Sequence, residues 1–531
     1  MGLTEIHKTD KVNIGFFVLI IGVFMAALDN GIISAALTTI NTSFDVSTTL
    51  GSWGITLYTL GLAVTTPIVG KLADRYGRKR LFLIEVILFT IGSLGVALSP
   101  TFSLFLAARL FQSFGGGGVF IIASSHVLST FVKGKQGSML GLLGAMNGIA
   151  SVLGPNIGSF LMDWTGNWHW LFFINVPIGI GLFIFGTFFM EETKGYALSK
   201  TDYLGITLLS FSILSIMFAV NNIGTGHLLD SFLSMGVLGL LVLGVVIFAG
   251  LIIVEKRNER TNVDAILPYH LLKKPTYSMT LVMGFLSGIF IGSVIFIPSF
   301  SQQILGIPAE KSGYWMTPLA LASGIGAGGG GRFVDKHGPV KTIILAGVIS
   351  IIGFGGLGLI ADTKLLFIIF SVIAGIGFGF VLGAPLTVLT SNAAGEQKGS
   401  AIGTLSVARQ IGLTISPTIF ATFIQNGFSK LGSLIPEKLQ AHGIHPGEMP
   451  KGAMEKIQGA NGSTDMQPAI DKIPVPQVRN ALHEAFAEAA YAAYMPIYVF
   501  VAAMAILMII ISIAFWKQFK KDAEKDATSS M

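Results

Sequence analysis

Long apolar stretches alternate with short polar breaks along almost the whole chain. A run of about twenty apolar residues is what a helix needs to cross a bilayer. Fourteen such runs are counted, near 13–35, 50–70, 81–99, 102–126, 138–161, 167–189, 203–221, 231–253, 277–299, 312–331, 341–361, 365–390, 400–424 and 493–516. The first is too long for a cleavable signal, carries Asp29, and lacks a small-x-small cleavage site. Between the last two lies a polar segment, 425–492, whose middle is rich in Gly, Pro and charge. Its end, Val478 to Tyr494, has an alanine-rich helical pattern.

The polar breaks are not independent of one another. Gly70-Lys71-Leu72-Ala73-Asp74-Arg75-Tyr76-Gly77-Arg78-Lys79-Arg80 separates the second and third runs. A weaker copy, Gly331-Arg332-Phe333-Val334-Asp335-Lys336-His337-Gly338, returns 261 residues later (335 − 74). Further on, Gly137-Ser138 matches Gly399-Ser400 and Pro155 matches Pro417, both at an offset of 262 (399 − 137; 417 − 155). One near-constant offset through separate motifs describes a duplicated unit of six helices, an arrangement used by transporters. The predicted fold is an all-α integral membrane protein of two six-helix bundles with two inserted helices. The expected domains are 1–190, an insertion and linker at 191–275, and 276–531, the last carrying the 425–492 loop.

Charge fixes an expected orientation. With the N-terminus inside, 24 of the 34 Lys and Arg fall in cytoplasm-facing segments. Eight fall outside, six of them in the long loop, where the positive-inside rule has little force. Arg109 and Arg409 remain, both inside predicted helices. The pI near 9.2 therefore reflects membrane sidedness rather than nucleic-acid binding. Charged residues make up 12% and the mean hydropathy is +0.72, against about 25% charged residues in ordinary soluble domains.

Composition also removes reaction classes. The absence of cysteine excludes disulfides, thiol catalysis and Cys-ligated metal. Neither Gly70-Lys71 nor Gly134-Lys135 is followed by Ser or Thr, so no nucleotide-binding loop is present. His483-Glu484 has Ala487 where a zinc helix needs its second His. No cofactor or metal is expected, and the energy source expected is a proton gradient.

An ionisable side chain within a span costs about 2.5–3.5 kcal/mol even on lenient scales, so it is read as functional. Asp29 lies about 24 Å from the cytoplasmic end of the first helix, and Arg109 about 10 Å below the outer end of the fourth. Similar depth predicts a pair, and a carboxylate whose partner or solvent access changes can take up and release a proton. Arg409, about 15 Å into the thirteenth helix, corresponds at the repeat offset to Asn147, and Arg409 with Gln410 reads as a cavity-lining pair. Glu85, one turn into the third helix, is expected to pair with the nearby basic loop, with proton carriage the less favoured alternative. Gly144, Gly148, Gly154-Pro155 and Gly158 in the fifth helix predict a bent, close-packed contact pivoting between the halves.

These stretches resemble the major facilitator superfamily. The Gly70 to Arg80 loop looks like the signature between its second and third helices. Leu106 to Gly115, with Arg109 and Gln112, resembles the fourth-helix motif, and Gly148 to Gly158 the fifth-helix motif of drug/proton antiporters. Leu28-Asp29 with Ile32, Ala36, Leu37 and Ile40, and Trp168 to Gly179, are similar to the fourteen-helix antiporter branch, as is Ala408-Arg409-Gln410-Ile411-Gly412. Gly31, Ser34 and Thr38 depart from that branch, as does His169 where Arg is usual.

The resemblance implies a proton-driven exporter of amphipathic drugs working by alternating access, an antiporter and not an enzyme. It implies proton coupling by Asp29 and Arg109. The substrate cavity is expected to be lined by Asp29, Asn30, Arg109, Gln112, Asn147, Arg409 and Gln410. Conformational roles are expected of Gly70, Asp74, Arg75, Gly77, Arg78, Asp335, Gly338, Gly148, Gly154, Pro155 and Gly158. The expected partners are the small-molecule cargo, protons and the bilayer. The chain is expected to act as a monomer in a bacterial plasma membrane with both termini cytoplasmic. A dedicated exporter of a lipid, fatty acid or cell-envelope metabolite is the alternative. Peptide uptake is disfavoured because the first helix lacks a Glu-x-x-Glu-Arg run.

Overall fold

The computed structural model describes residues 3–193, 200–223, 228–261, 263–267, 269–395, 397–444, 470, 473 and 475–529. Its principal helices, in chain order, are α1 (Leu3–Ser43), α2 (Trp53–Tyr76), α3 (Arg78–Ala97), α4 (Phe102–Thr130), α5 (Lys133–Thr165), α6 (Trp170–Phe189) and α7 (Tyr203–Asn221). They continue as α8 (Met235–Thr261), α9 (Pro275–Gln303), α10 (Thr317–His337), α11 (Pro339–Leu359), α12 (Lys364–Ala394), α13 (Lys398–Ser429) and α14 (Pro476–Ala514). Among the described residues, twelve helices are long and apolar enough to cross a membrane, or thirteen with the bent α5 taken as one span. The fourteenth expected run is α10. It has 21 residues, but Gly324, Gly326 and Gly328 to Gly331 dilute its hydropathy below that of its neighbours.

The duplication has local causes that the offset did not reveal. Thr101 caps α4 by accepting from Leu104 N, and Thr363 caps α12 by accepting from Leu366 N, both at 3.4 Å. A threonine hydroxyl in this place satisfies one of the N–H groups that the first helical turn leaves free. The two caps are again 262 residues apart (363 − 101). Both helices are interrupted, α4 between Gly116 and Val119 and α12 between Leu382 and Pro385. Gly77 and Gly338, with φ of 107° and 85°, turn the chain between α2 and α3 and between α10 and α11. That backbone conformation is one glycine adopts without a Cβ penalty.

Two sets of buried apolar side chains, around Phe82, Phe89 and Ile122 and around Leu28, Phe105 and Phe172, hold the first half together. A larger set around Phe290, Phe300, Phe354 and Tyr498 holds the second. The halves meet where α2 packs on α13 and α5 on α10. The inserted pair α7 and α8 pack on each other, and Leu209, Ile213 and Met217 of α7 join Leu60 of α2 and Val407 of α13 in one apolar cluster. A two-residue parallel bridge, Lys200 with Val263 and Thr201 with Asp264, ties the chain before α7 to the chain after α8. Large apolar side chains such as Val245, Val246 and Ile253 of α8 remain exposed, as lipid-facing side chains would be in a membrane.

The described part of 425–492 is helical. α14 begins at Pro476, so the alanine-rich stretch runs unbroken into the last span. Leu431, Leu434, Ile435 and Leu439 of the helix Leu431–Ala441 pack against Val478, Leu482, Ala485 and Phe486 of α14. Lys438 Nζ meets Glu488 Oε2 at 2.7 Å across the same contact. Positions 445–469 lie outside the described residues.

Candidate functional site

Five helices of the first half converge on Asp29. It is 0% exposed, and Arg109 of α4 is 1% exposed. Arg109 Nη1 lies 2.7 Å from Asp29 Oδ2 and donates also to Gln112 Oε1 at 2.7 Å. Gln112 Nε2 donates to Asp29 Oδ1 at 2.9 Å and to Ser93 Oγ of α3 at 2.7 Å. Asn175 Nδ2 of α6 reaches Asp29 Oδ1 at 3.0 Å. The guanidinium stacks 4.1 Å over the ring of Tyr58 from α2 and 5.5 Å from that of Phe172. A buried pair offsets its desolvation only when the remaining donors and lone pairs are also used, and here the amides and Ser93 do this. Asn175 Oδ1 and Tyr58 Oη have no hydrogen-bond partner among the described residues.

Arg109 and Gln112 come together because i and i+3 share a helix face. Ser93, Asn175 and Tyr58 were not singled out from the sequence as members of the site. Asn175 lies inside the Trp168 to Gly179 stretch that was recognised as a unit. Ser93 and Tyr58 carry no local signal, since a lone Ser or Tyr in an apolar run reads as packing.

Beside this cluster, between the halves, lies a cavity of about 200 Å³. Its walls are of mixed character: Leu62, Phe120, Ile121 and Val407 are apolar, Thr66 and Ser406 add hydroxyls, and Asn147 of α5 and Gln410 of α13 give it amide groups from opposite halves. Two of the predicted cavity residues therefore line it. Asp29, Arg109 and Gln112 do not. Their mutual bonding keeps them within the first half, behind the wall formed by Ala26, Ala27 and Gly116. Arg409 also turns away from the cavity, its Nε 3.2 Å from Ser287 Oγ of α9. The side chain of Asn30 lies outside the described residues.

The conformational motifs form two crosswise contacts. Asp74, at the end of α2, bonds Arg78 Nη2 at 2.9 Å and accepts from Ser400 N of α13 at 3.1 Å. Asp335, at the end of α10, accepts from Gly137 N and Ser138 N of α5, each at 2.7 Å, and from Ser138 Oγ. Each aspartate thus seats near the start of the fifth helix of the opposite repeat: Ser400 is in the first turn of α13, where N–H groups lack an intrahelical partner, and Gly137 and Ser138 lie one turn into α5. A Cβ on Gly70 would strike the Gly399 carbonyl, and one on Gly331 the Gly137 carbonyl. The backbones therefore cross at glycine pairs. Arg78 Nε also donates to Ser125 Oγ at 2.6 Å, and Glu192 accepts from Lys79 N and Arg80 N at the start of α3. Arg75 is half-buried, its guanidinium 5.5 Å from the Tyr76 ring.

Two expectations change. Gly154 and Pro155 do not pivot between halves. A Cβ on Gly154 would meet Gly31 of α1, in the same half. The α5 glycines that face the other half are Gly137, Gly141, Gly144 and Gly148, nearest Gly331, Ala327, Gly383 and Ser323. α5 bends by 40° between Ser151 and Leu153, three residues before Pro155, whose missing N–H leaves a gap in the ladder there. Gly158 is buried. Glu85, expected to pair with the basic loop, instead accepts from Gly118 N of α4 at 2.8 Å.

A family profile described as Major Facilitator Superfamily matches residues 19–417. An uncharacterized MFS-type transporter of Bacillus subtilis, YfiU, is 54% identical over 98% of this chain and 99% of its own length. Multidrug resistance protein 3 of the same organism is 33% identical over 77% of this chain and 79% of its own. In fold, the human organic anion transporter MFSD10 superposes with a TM-score of 0.56, covering 94% of this chain and 99% of its own at 12% identity.

Proposed function

The chain belongs to the major facilitator superfamily, and on that premise we propose that it is a proton-coupled exporter of amphipathic compounds. The observation that carries the reading is the sealed Asp29–Arg109 pair set behind a cavity of mixed polar and apolar lining between two repeated halves. A wall that combines Val23, Leu62, Phe120 and Ile121 with the polar groups of Thr66, Asn147, Ser406 and Gln410 suits amphipathic cargo, which presents both a hydrophobic body and hydrogen-bonding groups. In this reading Asp29 carries the transported proton. Protonation removes its charge and releases Arg109, and re-pairing expels the proton. The crosswise aspartate contacts close the cytoplasmic end and open when the halves rock. Relatives named for multidrug resistance support the cargo class.

The fuller arrangement we propose has fourteen spans, with α10 crossing despite its glycines, as two six-helix bundles at 1–190 and 276–531 and an insertion at 191–275. Both termini are cytoplasmic, the membrane is a bacterial plasma membrane, and the chain works as a monomer without cofactor. The apolar lining (Val23, Ala26, Leu62, Ala63) also favours a second reading, export of an acyl-chain metabolite. The test is a panel of cationic dyes, neutral drugs, fatty acids and hydrophilic nutrients such as short peptides in vesicles holding the purified protein, with an imposed pH difference. Gradient-driven movement of dyes or drugs is the expected result. Movement of fatty acids alone selects the second reading, and gradient-driven uptake of hydrophilic nutrients would overturn both.

A further inference from the structure

A second acid is buried in the first half, away from the Asp29 cluster. Glu85 of α3 is 2% exposed, and its sole hydrogen bond among the described residues is the one from Gly118 N. Gly118 sits at the interruption of α4, where Gly116 and Gly117 form part of the cavity wall. A Cβ on Gly118 would meet Val69 and the Glu85 carboxylate at 2.8 Å, and one on Gly115 would meet the Glu85 carbonyl. The glycines of the break thus leave room for this carboxyl directly behind the wall.

The surrounding helices carry charged and titratable groups, but among the described residues none is bonded to it. Asp29 of α1 and Arg109 of α4 hold each other, and Asp74 of α2 and Arg78 of α3 hold each other. Lys71 of α2 is buried, and His126 of α4 faces Thr193. Tyr58 of α2 is near enough to sense a charge on Glu85 but offers no cation. A lone carboxylate so placed faces the full penalty of a buried charge, with one N–H and a helix start in compensation. A neutral acid avoids that penalty.

We propose that Glu85 is a second proton-binding site of the transport cycle, loaded and unloaded as the break in α4 opens to cavity water. The step is a single transfer. A proton from water in the cavity bonds to a Glu85 carboxyl oxygen, and the same O–H bond breaks to water on the opposite face after the halves rock. Protonation lets the carboxyl stay sealed behind Gly117 and Gly118, and deprotonation favours the opened wall. The inference rests on the antiport reading for its place in a cycle, but the protonation itself does not.

Infrared spectra of the reconstituted protein labelled with carbon-13 glutamate, titrated from pH 6 to 9, read the acid directly. The expected result is a protonated-glutamate carbonyl band at neutral pH that Glu85→Gln removes, that Glu85→Asp moves out of the labelled region, and that Glu255→Gln leaves in place. In vesicles with an imposed pH difference, Glu85→Gln should lower steady-state ethidium export by about tenfold per pH unit, the loss of one coupled proton. A band unaffected by Glu85→Gln, or an export ratio equal to wild type, would overturn the proposal. If the wild type exports no ethidium, the antiport reading for this cargo fails, and the infrared band still decides whether Glu85 holds a proton.

Discussion

Asp29 and Arg109 form a buried pair whose structural part can be separated by experiment from the coupling proposed for it. Removing one member of a buried pair strands the other charge and costs about 3–5 kcal/mol, so Arg109→Ala is expected to fold poorly and to lower the melting temperature in detergent. Asp29→Asn keeps size and most hydrogen bonds, and combined with Arg109→Gln it leaves no stranded charge. The double variant should therefore regain thermal stability while gradient-driven efflux stays abolished. Recovery of efflux would remove the pair from proton coupling, and failure to regain stability would show that it acts mainly through the fold. Asn175→Ala deletes one bond to Asp29 and is expected to slow efflux and move its pH profile without abolishing it. The pair itself was legible from depth along two helices. Ser93 and Tyr58 were not, because membership depends on which helices meet, and no periodicity carries that. Asp29 was expected at the cavity because an intramembrane acid usually faces water. Arg109, Gln112 and Asn175 together satisfy it inside the protein instead.

At the scale of the helix, the decisive residues are glycines at crossings. Gly31 of α1 and Gly154 of α5 occupy each other's Cβ space, so a side chain at either pushes the helices apart. Gly154→Val should destabilise the first half by several kcal/mol, since overpacking costs about 1–3 kcal/mol before lost contacts are added. Trypsin sensitivity and melting temperature of purified protein would read it, and a wild-type profile would show that the crossing is loose. Gly328 faces open space by contrast, and Gly328→Ala should be silent in the same assays. The spacing of α5 glycines was legible as a packing face. What they pack against was not, since small residues mark close approach without naming the partner. Gly154 packs on α1, whereas the inter-half contact uses glycines roughly two to five turns earlier in α5.

Over the whole molecule, duplication makes two crosswise contacts from one design, each proposed above to act as a lock, and both components are in the sequence without their pairing. The offset matched Asp74 with Asp335 and Gly137-Ser138 with Gly399-Ser400, but not that each aspartate would bind the other repeat's helix. The locks are also unequal. Asp74 shares its buried site with Arg78, so Asp74→Asn strands a guanidinium as well as loosening the contact. Asp335 is half-buried and bonds only α5 among the groups described here, so Asp335→Asn tests closure with less harm to folding. Hydrogen bonds to a charged group are worth about 1.5–3 kcal/mol. Weakening this contact should shift the balance between closed and open at this end by roughly tenfold to a hundredfold. The absence of native cysteine allows single spin labels to be placed on α5 and α10 for distance measurements. In Asp335→Asn the longer of the two distance populations should grow at the expense of the shorter while melting temperature changes little. Asp74→Asn should lower the melting temperature as well. Unchanged distances in Asp335→Asn would mean that the glycine crossings alone keep this end shut, and that the aspartate contributes position rather than closure.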